Sequence, residues 1–338
     1  MRWNNVHIES IAHLLPPTVV TSDEVEQAMA DTMKRLGVPK GRLEGLTGIH
    51  ERRLWGAEVQ PSEVGAEVGK LALEKAGKDG LDLDLLISTS IIRDYIEPST
   101  ASLIGNGLGV GHDCSIFDIS HACLGFVEGL IQAANAIELG HARYAMVVTG
   151  ENFGMGIRDT IKHMASDDCG EEYFRANFAT LTLGCAAVAV ILTHKDLATT
   201  DRRIVGAVAR SATEHSGLCY ATKAWMRADP QGLRVHGIDL VAETWPFFVE
   251  ELGWDTPDID QWLCHQVGVR HITTTLERLD QPIDKTHIVL DRLGNCGSAA
   301  LPIAWALADH EGKIGPGDKL CFYSVGSGLG SILMGVQW

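Results

Sequence analysis

Cys123 is the residue of this sequence best placed for chemistry. It lies in residues 117–140, FDISHACLGFVEGLIQAANAIELG, which predict a short strand, a tight turn and a helix that is apolar on nearly every face. The free N–H groups and the dipole at a helix N-terminus stabilise a thiolate over a thiol. Free cysteines are usually buried structural residues. The position of Cys123 at the start of a central helix nevertheless favours a nucleophile.

Polar residues at matching positions of the second half accompany Cys123. His265 ends a predicted strand in LCHQ, and Asn295 opens a second apolar helix in GNCGSAA. The glycine-rich turn SVGSGLG, residues 324–330, offers exposed backbone N–H groups. A cysteine with a histidine, an amide and a set of N–H groups indicates covalent acyl-transfer chemistry.

The elements around these residues occur twice along the chain. The strand LDLDLLIST is repeated as DIDQWLCHQ, and the unit of turn, apolar helix, glycine and strand around Cys123 is repeated around Asn295. Two helices that need cover on both faces are most simply placed between two sheets, with further helices outside. The sequence therefore predicts a five-layered αβαβα fold of class α/β, in two pseudo-repeated halves. The charged stretch 194–203 is the best linker, which gives the domains 1–196 and 197–338.

Loops between the elements carry the remaining candidates. Glu97 directly precedes Pro98, so we expect it in an extended segment, where its ordinary role is that of a solvated loop carboxylate. The glycines of residues 105–111 end a helix and do not follow a strand, which excludes a dinucleotide site. The polar residues 151–177 are interpreted as an insertion that covers the site. Arg52 and Arg53 are interpreted as a solvated patch rather than as an anion site.

Composition limits the classes of function. A formal charge of −16 argues against nucleic acid or an anionic membrane as a partner. The eight cysteines show no paired short spacing, so we predict free thiols, no disulfide framework and no metal site. We expect no membrane span and no signal peptide, and we place the protein in the cytoplasm.

The motifs GIHERR, HACLGF, CHQ, GNCGSAA and GSG, in this order, resemble the thiolase superfamily over essentially the whole chain, and in particular its ketoacyl-ACP synthase III branch. Within that branch, RDYIEPSTAS, TLGCAA and RSATE look like the OleA family, whose members join two fatty acyl-CoA molecules head to head. The resemblance implies a thiolase-like fold and an acyltransferase with no cofactor and with acyl-CoA as substrate.

The resemblance also implies roles for individual residues. Cys123 would be the nucleophile, His265 and Asn295 would donate to the thioester or enolate oxygen, and the backbone N–H groups of Cys123 and Gly328 would form the oxyanion hole. Glu97 would be the base, supplied across a homodimer interface. Arg270 would contact the phosphates of CoA or a carrier protein.

A Claisen condensation requires an acyl group on a nucleophile and a carbanion from a second thioester. Decarboxylating synthases obtain the carbanion by losing CO₂ from malonyl-ACP, whereas an unactivated acyl-CoA requires a base to remove its α-proton. Glu97 therefore favours the non-decarboxylative reaction, whose product is a 2-alkyl-3-ketoacyl-CoA for the downstream enzymes of an olefin or β-lactone pathway.

Three alternatives remain open. They are a synthase III that uses malonyl-ACP, a non-catalytic partner subunit, and, ranked behind them, a hydroxymethylglutaryl-CoA synthase. A thiolase is disfavoured because its second cysteine is replaced by the turn Gly326-Ser327-Gly328. Two residues depart from the family pattern, namely His121 before Ala122-Cys123 and Cys296 after Asn295, and either could alter the pocket or the reactivity of the thiol.

Overall fold

The computed structural model describes residues 1–222 and 226–338. Its strands are β1 Val6–Leu14, β2 Thr18–Thr21, β3 Glu51–Leu54, β4 Leu85–Ser88, β5 Ser115–Asp118, β6 Tyr144–Glu151, β7 Ala186–His194, β8 Arg203–Ser211, β9 Cys219–Ala221, β10 Met226–Ala228, β11 Gln261–Cys264, β12 Lys319–Gly326 and β13 Gly330–Gln337. Its helices are α1 Ser22–Ala28, α2 Ala30–Arg35, α3 Arg42–Thr47, α4 Pro61–Ala76, α5 Thr100–Leu108, α6 Gly125–Glu138, α7 Gly154–Met164, α8 Glu171–Asn177, α9 Pro230–Leu252, α10 Val269–Arg278, α11 Leu290–Leu293 and α12 Ala300–His310.

The main strands form two sheets of related topology. The first has the order β5-β4-β6-β7-β1 and the second the order β11-β12-β13-β8. The two are joined edge to edge into one nine-stranded array through β1 and β8, which pair at His7↔Arg203. In the first sheet β4 runs parallel to β6, and β7 runs antiparallel to both β6 and β1. In the second, β11 runs parallel to β12, and β13 runs antiparallel to both β12 and β8. The strand order of the first half therefore recurs in the second.

The apolar helices α6 and α12 fill the space between the sheets. Their side chains form one core with Val147 and Val190 of the first sheet and with Phe322 and Ile332 of the second. A second core lies between the first sheet and α4, and a third between the second sheet and the pair α9 and α10. The predicted five-layered thiolase-like fold is confirmed.

Local sequence explains where several elements begin and end. Thr21 caps α1 in a reciprocal pair with Glu24, but the helix predicted to continue to Leu36 breaks at Met29 into α1 and α2. The strand predicted from Leu181 begins only at Ala186. The preceding residues are diverted because the carbonyl of Thr182 accepts a hydrogen bond from the backbone N–H of Asn295 at 2.8 Å.

The polar segment after β6 forms helices α7 and α8. Side chains of both helices pack with α1 and α2 in a small apolar core, while Met155 and Gly156 of α7 line a cavity of about 360 Å³. Residues 151–177, which are interpreted from sequence as an insertion covering the site, therefore form part of the wall of this cavity. Within the described residues, no helix is long and apolar enough to cross a membrane.

Candidate active site

Cys123 lies in a 3₁₀ turn, Ala122–Leu124, directly before α6. Strand β12 holds this turn, because the hydroxyl of Ser324 donates to the carbonyl of Cys123 at 3.3 Å. Gly326 approaches so closely that an added Cβ would lie 3.3 Å from the backbone nitrogen of Cys123. A side chain here would push the turn of Cys123 away by a few tenths of an ångström, which accounts for one glycine of the predicted turn.

Burial around Cys123 favours the neutral thiol over the thiolate. Burial raises its pKa to about 12, and the nearby Cys219 and Glu151 raise it further, although part of the residue remains accessible. Desolvation thus opposes the stabilisation of a thiolate that we expect from the helix N-terminus. The position predicted for Cys123 is correct, but its proton must leave during the reaction.

His265 follows β11 and is buried. Its backbone N–H donates to the carbonyl of Tyr323 at 3.1 Å, so the consecutive β12 residues Tyr323 and Ser324 hold His265 and Cys123 at the same end of the sheet. Desolvation, with the neighbouring His271 adding to it, lowers the pKa of His265 to about 3. A neutral imidazole can donate a hydrogen bond to an oxygen or accept the proton of a thiol.

A second buried imidazole, that of His271 on α10, lies behind the first. Desolvation, followed by the charge of Arg234, lowers the pKa of His271 to about 4. Within the described part of the chain, Nδ1 of His265 and Nδ1 of His271 have no hydrogen-bond partner. The interior near His265 is thus built to keep both rings uncharged.

The two histidines should make the protein sensitive to acid. Histidines of the unfolded chain bind protons below pH 6.5, whereas His265 and His271 in the folded protein do not. The unfolding free energy should therefore fall as pH falls below 6, by about 1.4 kcal/mol per pH unit for each of the two histidines. Denaturant titrations between pH 6 and 4.5 measure the slope of the unfolding free energy against pH. In His271→Gln this slope should be smaller by about 1.4 kcal/mol per pH unit, the contribution of one bound proton. An unchanged slope would contradict the buried neutral state of His271.

Asn295 is fixed in a turn between α11 and α12. Its backbone N–H and C=O bond to Thr182 and Gly184, and its Oδ1 accepts from the N–H of Gly297 at 3.0 Å. This bond turns the side-chain oxygen toward Gly297, and the amide NH₂ is then the group that can donate to a substrate. The 3₁₀ turn that follows, Gly297–Ala299, contacts the turn of Cys123. The predicted proximity of Cys123 and Asn295 is therefore confirmed at the level of their turns.

Glu97 lies apart from these buried residues. The loop of residues 93–99 is anchored by Asp94, which accepts from the hydroxyl of Ser62 at 2.5 Å, and its tip exposes Tyr95, Ile96 and Glu97. Ile96 is 97% exposed and Tyr95 56% exposed, which is unusual for large apolar side chains. The loop stands beside the edge strand β5, since Asp118 of β5 accepts from the N–H groups of Thr100 and Ala101.

The other predicted residues lie at the surface or are inert. Arg270 is exposed in the first turn of α10, and Gly328 is exposed in the turn between β12 and β13. The imidazole Nδ1 of His121 lies 3.6 Å from a carboxylate oxygen of Glu128. Cys296 is fully buried whereas Cys123 is partly accessible, and burial raises the pKa of the Cys296 thiol, so Cys296 cannot be reached by a substrate as Cys123 can.

Two interior residues near the site were not foreseen. Arg52 is fully buried and donates to the hydroxyl of Ser22 and to the carbonyl of Leu181, so the solvated patch expected there is wrong. Glu151, at the end of β6, is also fully buried, and desolvation raises the pKa of its carboxyl group to about 7. The sequence feature that could have indicated a buried carboxylate is a glutamate at the end of the apolar strand β6.

The cavity beside the Asn295 turn is mostly apolar. Ile91, Ile92, Phe153, Leu183 and Met226 contribute to its lining. A Cβ added to Gly297 would lie 2.6 Å from the ring of Phe153, so this ring separates the turn from the cavity. No group of three or more His, Cys, Asp or Glu residues in the described part of the chain is arranged to hold a metal ion.

A fold of two repeated halves, with a cysteine at one central helix start and an asparagine at the other, defines a thiolase-like condensing enzyme. Sequence profiles for 3-oxoacyl-[acyl-carrier-protein] synthase III match residues 117–212, and profiles for its C-terminal part match residues 249–338. Acyl-CoA:acyl-CoA alkyltransferases of Xanthomonas campestris and Shewanella oneidensis are each 36% identical, over 338 and 350 residues, with 100% of both chains covered. The chain belongs to this acyl-CoA:acyl-CoA alkyltransferase family, within the synthase III group.

Solved structures and more distant relatives agree with this assignment. Structures of Xanthomonas campestris OleA superpose with a TM-score of 0.98 at 36% identity, and one of them covers 100% of this chain and 99% of its own. One further structure contains cerulenin, and others are variants in which a glutamate, a cysteine or a histidine is replaced. A β-ketoacyl-[acyl-carrier-protein] synthase III of Cereibacter sphaeroides is 28% identical, with 97% of this chain and 98% of the relative covered.

Proposed function

We propose that this enzyme condenses two fatty acyl-CoA molecules, without decarboxylation, to a 2-alkyl-3-ketoacyl-CoA. The observation that carries the proposal is an accessible carboxylate, Glu97, on the loop anchored by Asp94 in a chain that also holds Cys123, His265 and Asn295. Relatives named for the reaction of two acyl-CoA molecules share 36% of their residues with this chain, against 28% for a relative named as a synthase III.

The first half-reaction is acylation of Cys123. The sulfur attacks the thioester carbonyl of one acyl-CoA, the bond from that carbonyl to the CoA sulfur breaks, and the thiol proton ends on CoA, which leaves as a free thiol. His265 is neutral and relays the proton, and the N–H groups of Cys123 and Gly328 stabilise the oxyanion. The product is an acyl thioester on Cys123.

The second half-reaction forms the carbon–carbon bond. Glu97 removes the α-proton of a second acyl-CoA while His265 and the amide NH₂ of Asn295 donate to the developing enolate oxygen. The enolate attacks the acyl group, the bond to Cys123 breaks, and the proton held by Glu97 restores the thiol. Arg270, exposed at the surface, is the proposed contact for the phosphates of CoA.

The variants solved for the Xanthomonas enzyme support these assignments. The replaced glutamate, cysteine and histidine have the same order and the same sequence intervals as Glu97, Cys123 and His265 here. The apolar cavity beside the Asn295 turn is a suitable site for a fatty acyl chain, because chain burial is driven by removal of apolar surface from water.

We further propose a two-fold homodimer in which each site uses Glu97 of the partner. Within the described residues, β4 is the only strand that pairs with β5, so the other edge of β5 is available to pair with the same strand of a second copy. Phe117 of β5 and the apolar tip residues Tyr95 and Ile96 are exposed beside that edge. Pairing at β5 would bury them and carry the loop into the neighbour.

The reaction is expected in the cytoplasm, where thiols remain reduced, because all eight cysteines are free. A 2-alkyl-3-ketoacyl-CoA still carries a ketone and a thioester. The pathway must therefore continue with enzymes that act on a β-keto thioester, as in olefin or β-lactone formation.

Acylation of Cys123 should precede binding of the second substrate. When Glu97→Ala is exposed to a single long-chain acyl-CoA, intact mass should show one acyl adduct per chain, and Cys123→Ala should show none. Initial rates of the wild type with two acyl-CoA concentrations varied should be ping-pong.

Two results would overturn the proposed function. If neither variant acquires an adduct, Cys123 is not the nucleophile and the chain could be a non-catalytic partner. If the wild type extends acyl-Cys123 with malonyl-ACP while pairs of acyl-CoA stay inert, the enzyme is a decarboxylating synthase III.

A further inference from the structure

Glu151 is a buried carboxylate to which the reaction above gives no role. It ends β6, and its oxygens accept three backbone N–H groups, from Ile91 at 2.8 Å, Ile92 at 3.2 Å and Ser298 at 3.3 Å. Within the described part of the chain, no lysine or arginine forms a salt bridge with it. Burial of an unpaired charge is costly and raises the pKa of this carboxyl group, and the three N–H groups oppose that rise by stabilising the carboxylate.

The three donors belong to the two segments that serve condensation. Ile91 and Ile92 lead from β4 into the loop of Glu97, whereas Ser298 follows Asn295 by three positions in the turn before α12. The same junction contains a contact of 3.4 Å between the hydroxyls of Ser298 and Thr89. One carboxylate therefore joins the exit of a strand in the first half to the asparagine turn of the second half.

We propose that Glu151 is a positioning residue for the condensation step, which fixes where the Glu97 loop leaves the sheet and where the Asn295 turn lies. The inference rests on the proposed function, because it assigns Glu97 and Asn295 to that step. Acylation should not be slowed by its loss, since Cys123 is held separately by Ser324 and Gly326 of β12, and since the nearby Glu151 raises the pKa of the Cys123 thiol.

Glutamine cannot reproduce the three contacts of Glu151. Oε1 accepts from Ile91 and Ser298, and Oε2 accepts from Ile92. An amide has one acceptor oxygen, so in either orientation its NH₂ faces at least one backbone N–H. Glu151→Gln conserves shape but should displace the loop, the turn or both by a fraction of an ångström.

The test compares the two half-reactions in Glu151→Gln and in a matched control. Glu26 is likewise buried and accepts two backbone N–H groups, from Gly41 at 2.6 Å and Leu43 at 2.7 Å, but it lies in α1 away from this junction. With a long-chain acyl-CoA, acylation of Cys123 is followed by intact mass and condensation by product formation. Glu151→Gln should lower condensation about 10- to 100-fold and leave acylation at the wild-type rate or above it, whereas Glu26→Gln should leave their ratio unchanged.

Each result decides the inference. Unchanged condensation in folded Glu151→Gln, or equal loss of both half-reactions, would overturn it while a condensing wild type preserves the proposed function. A wild type that forms no condensation product would overturn both. If the glutamine variant does not fold, Glu151→Asp keeps the charge but shortens its reach, and the same selective loss is required.

Discussion

Glu97→Gln should lose condensation of two acyl-CoA molecules by about 10²- to 10⁴-fold, the range by which a general base contributes. The amide cannot accept the α-proton, although it has nearly the size and shape of the carboxylate. Acylation of Cys123 should continue, because that step requires no α-proton removal. The measurement is condensation product per enzyme together with the acyl adduct on Cys123 by intact mass.

A control separates this effect from a general change of surface charge. Glu67 is an exposed glutamate on α4, so Glu67→Gln makes the same chemical change at a position without a proposed role. This variant should condense at the wild-type rate. Full condensation by Glu97→Gln would show that another group is the base.

Repetition made the fold predictable from sequence. Each half contains a buried strand, LLIS or QWLC, and further along the chain a near-uniformly apolar helix, α6 or α12. Such helices must be covered on two faces, and this requirement leads to a layered structure. The positions of Cys123, His265 and Asn295 followed from the same repeat, because each ends or begins a regular element. Side-chain patterns report such local boundaries well.

Long-range burial was not predictable in the same way. A helix N-terminus suggested a thiolate at Cys123, but the pKa of the thiol depends on how many atoms from distant segments exclude water from it. Arg52 sits in a polar motif, GIHERR, yet it is buried because Ser22 and Leu181, distant in sequence, accept its hydrogen bonds. Glu151 was overlooked for the same reason, since its three donors lie in two segments that are both distant from it along the chain.

Mixed dimers offer the most direct test of where Glu97 acts. Cys123→Ala and Glu97→Ala should each be inactive in condensation as homodimers. If each site borrows Glu97 from the partner, a dimer of one chain of each type contains one site with both groups intact and one site with neither. Two inactive proteins should then restore activity on subunit exchange.

The expected recovery follows from counting sites. Random exchange makes about half of the dimers mixed, and half of the sites in those dimers are intact, so independent sites should give about a quarter of wild-type activity. Coexpression with two affinity tags isolates the mixed species, which should reach about half. A mixture of Cys123→Ala with the double variant Cys123→Ala, Glu97→Ala is the control and should stay inactive. If mixed dimers form but do not condense, Glu97 acts within its own chain or is not the base, because no chain of the mixed dimer holds both Cys123 and Glu97.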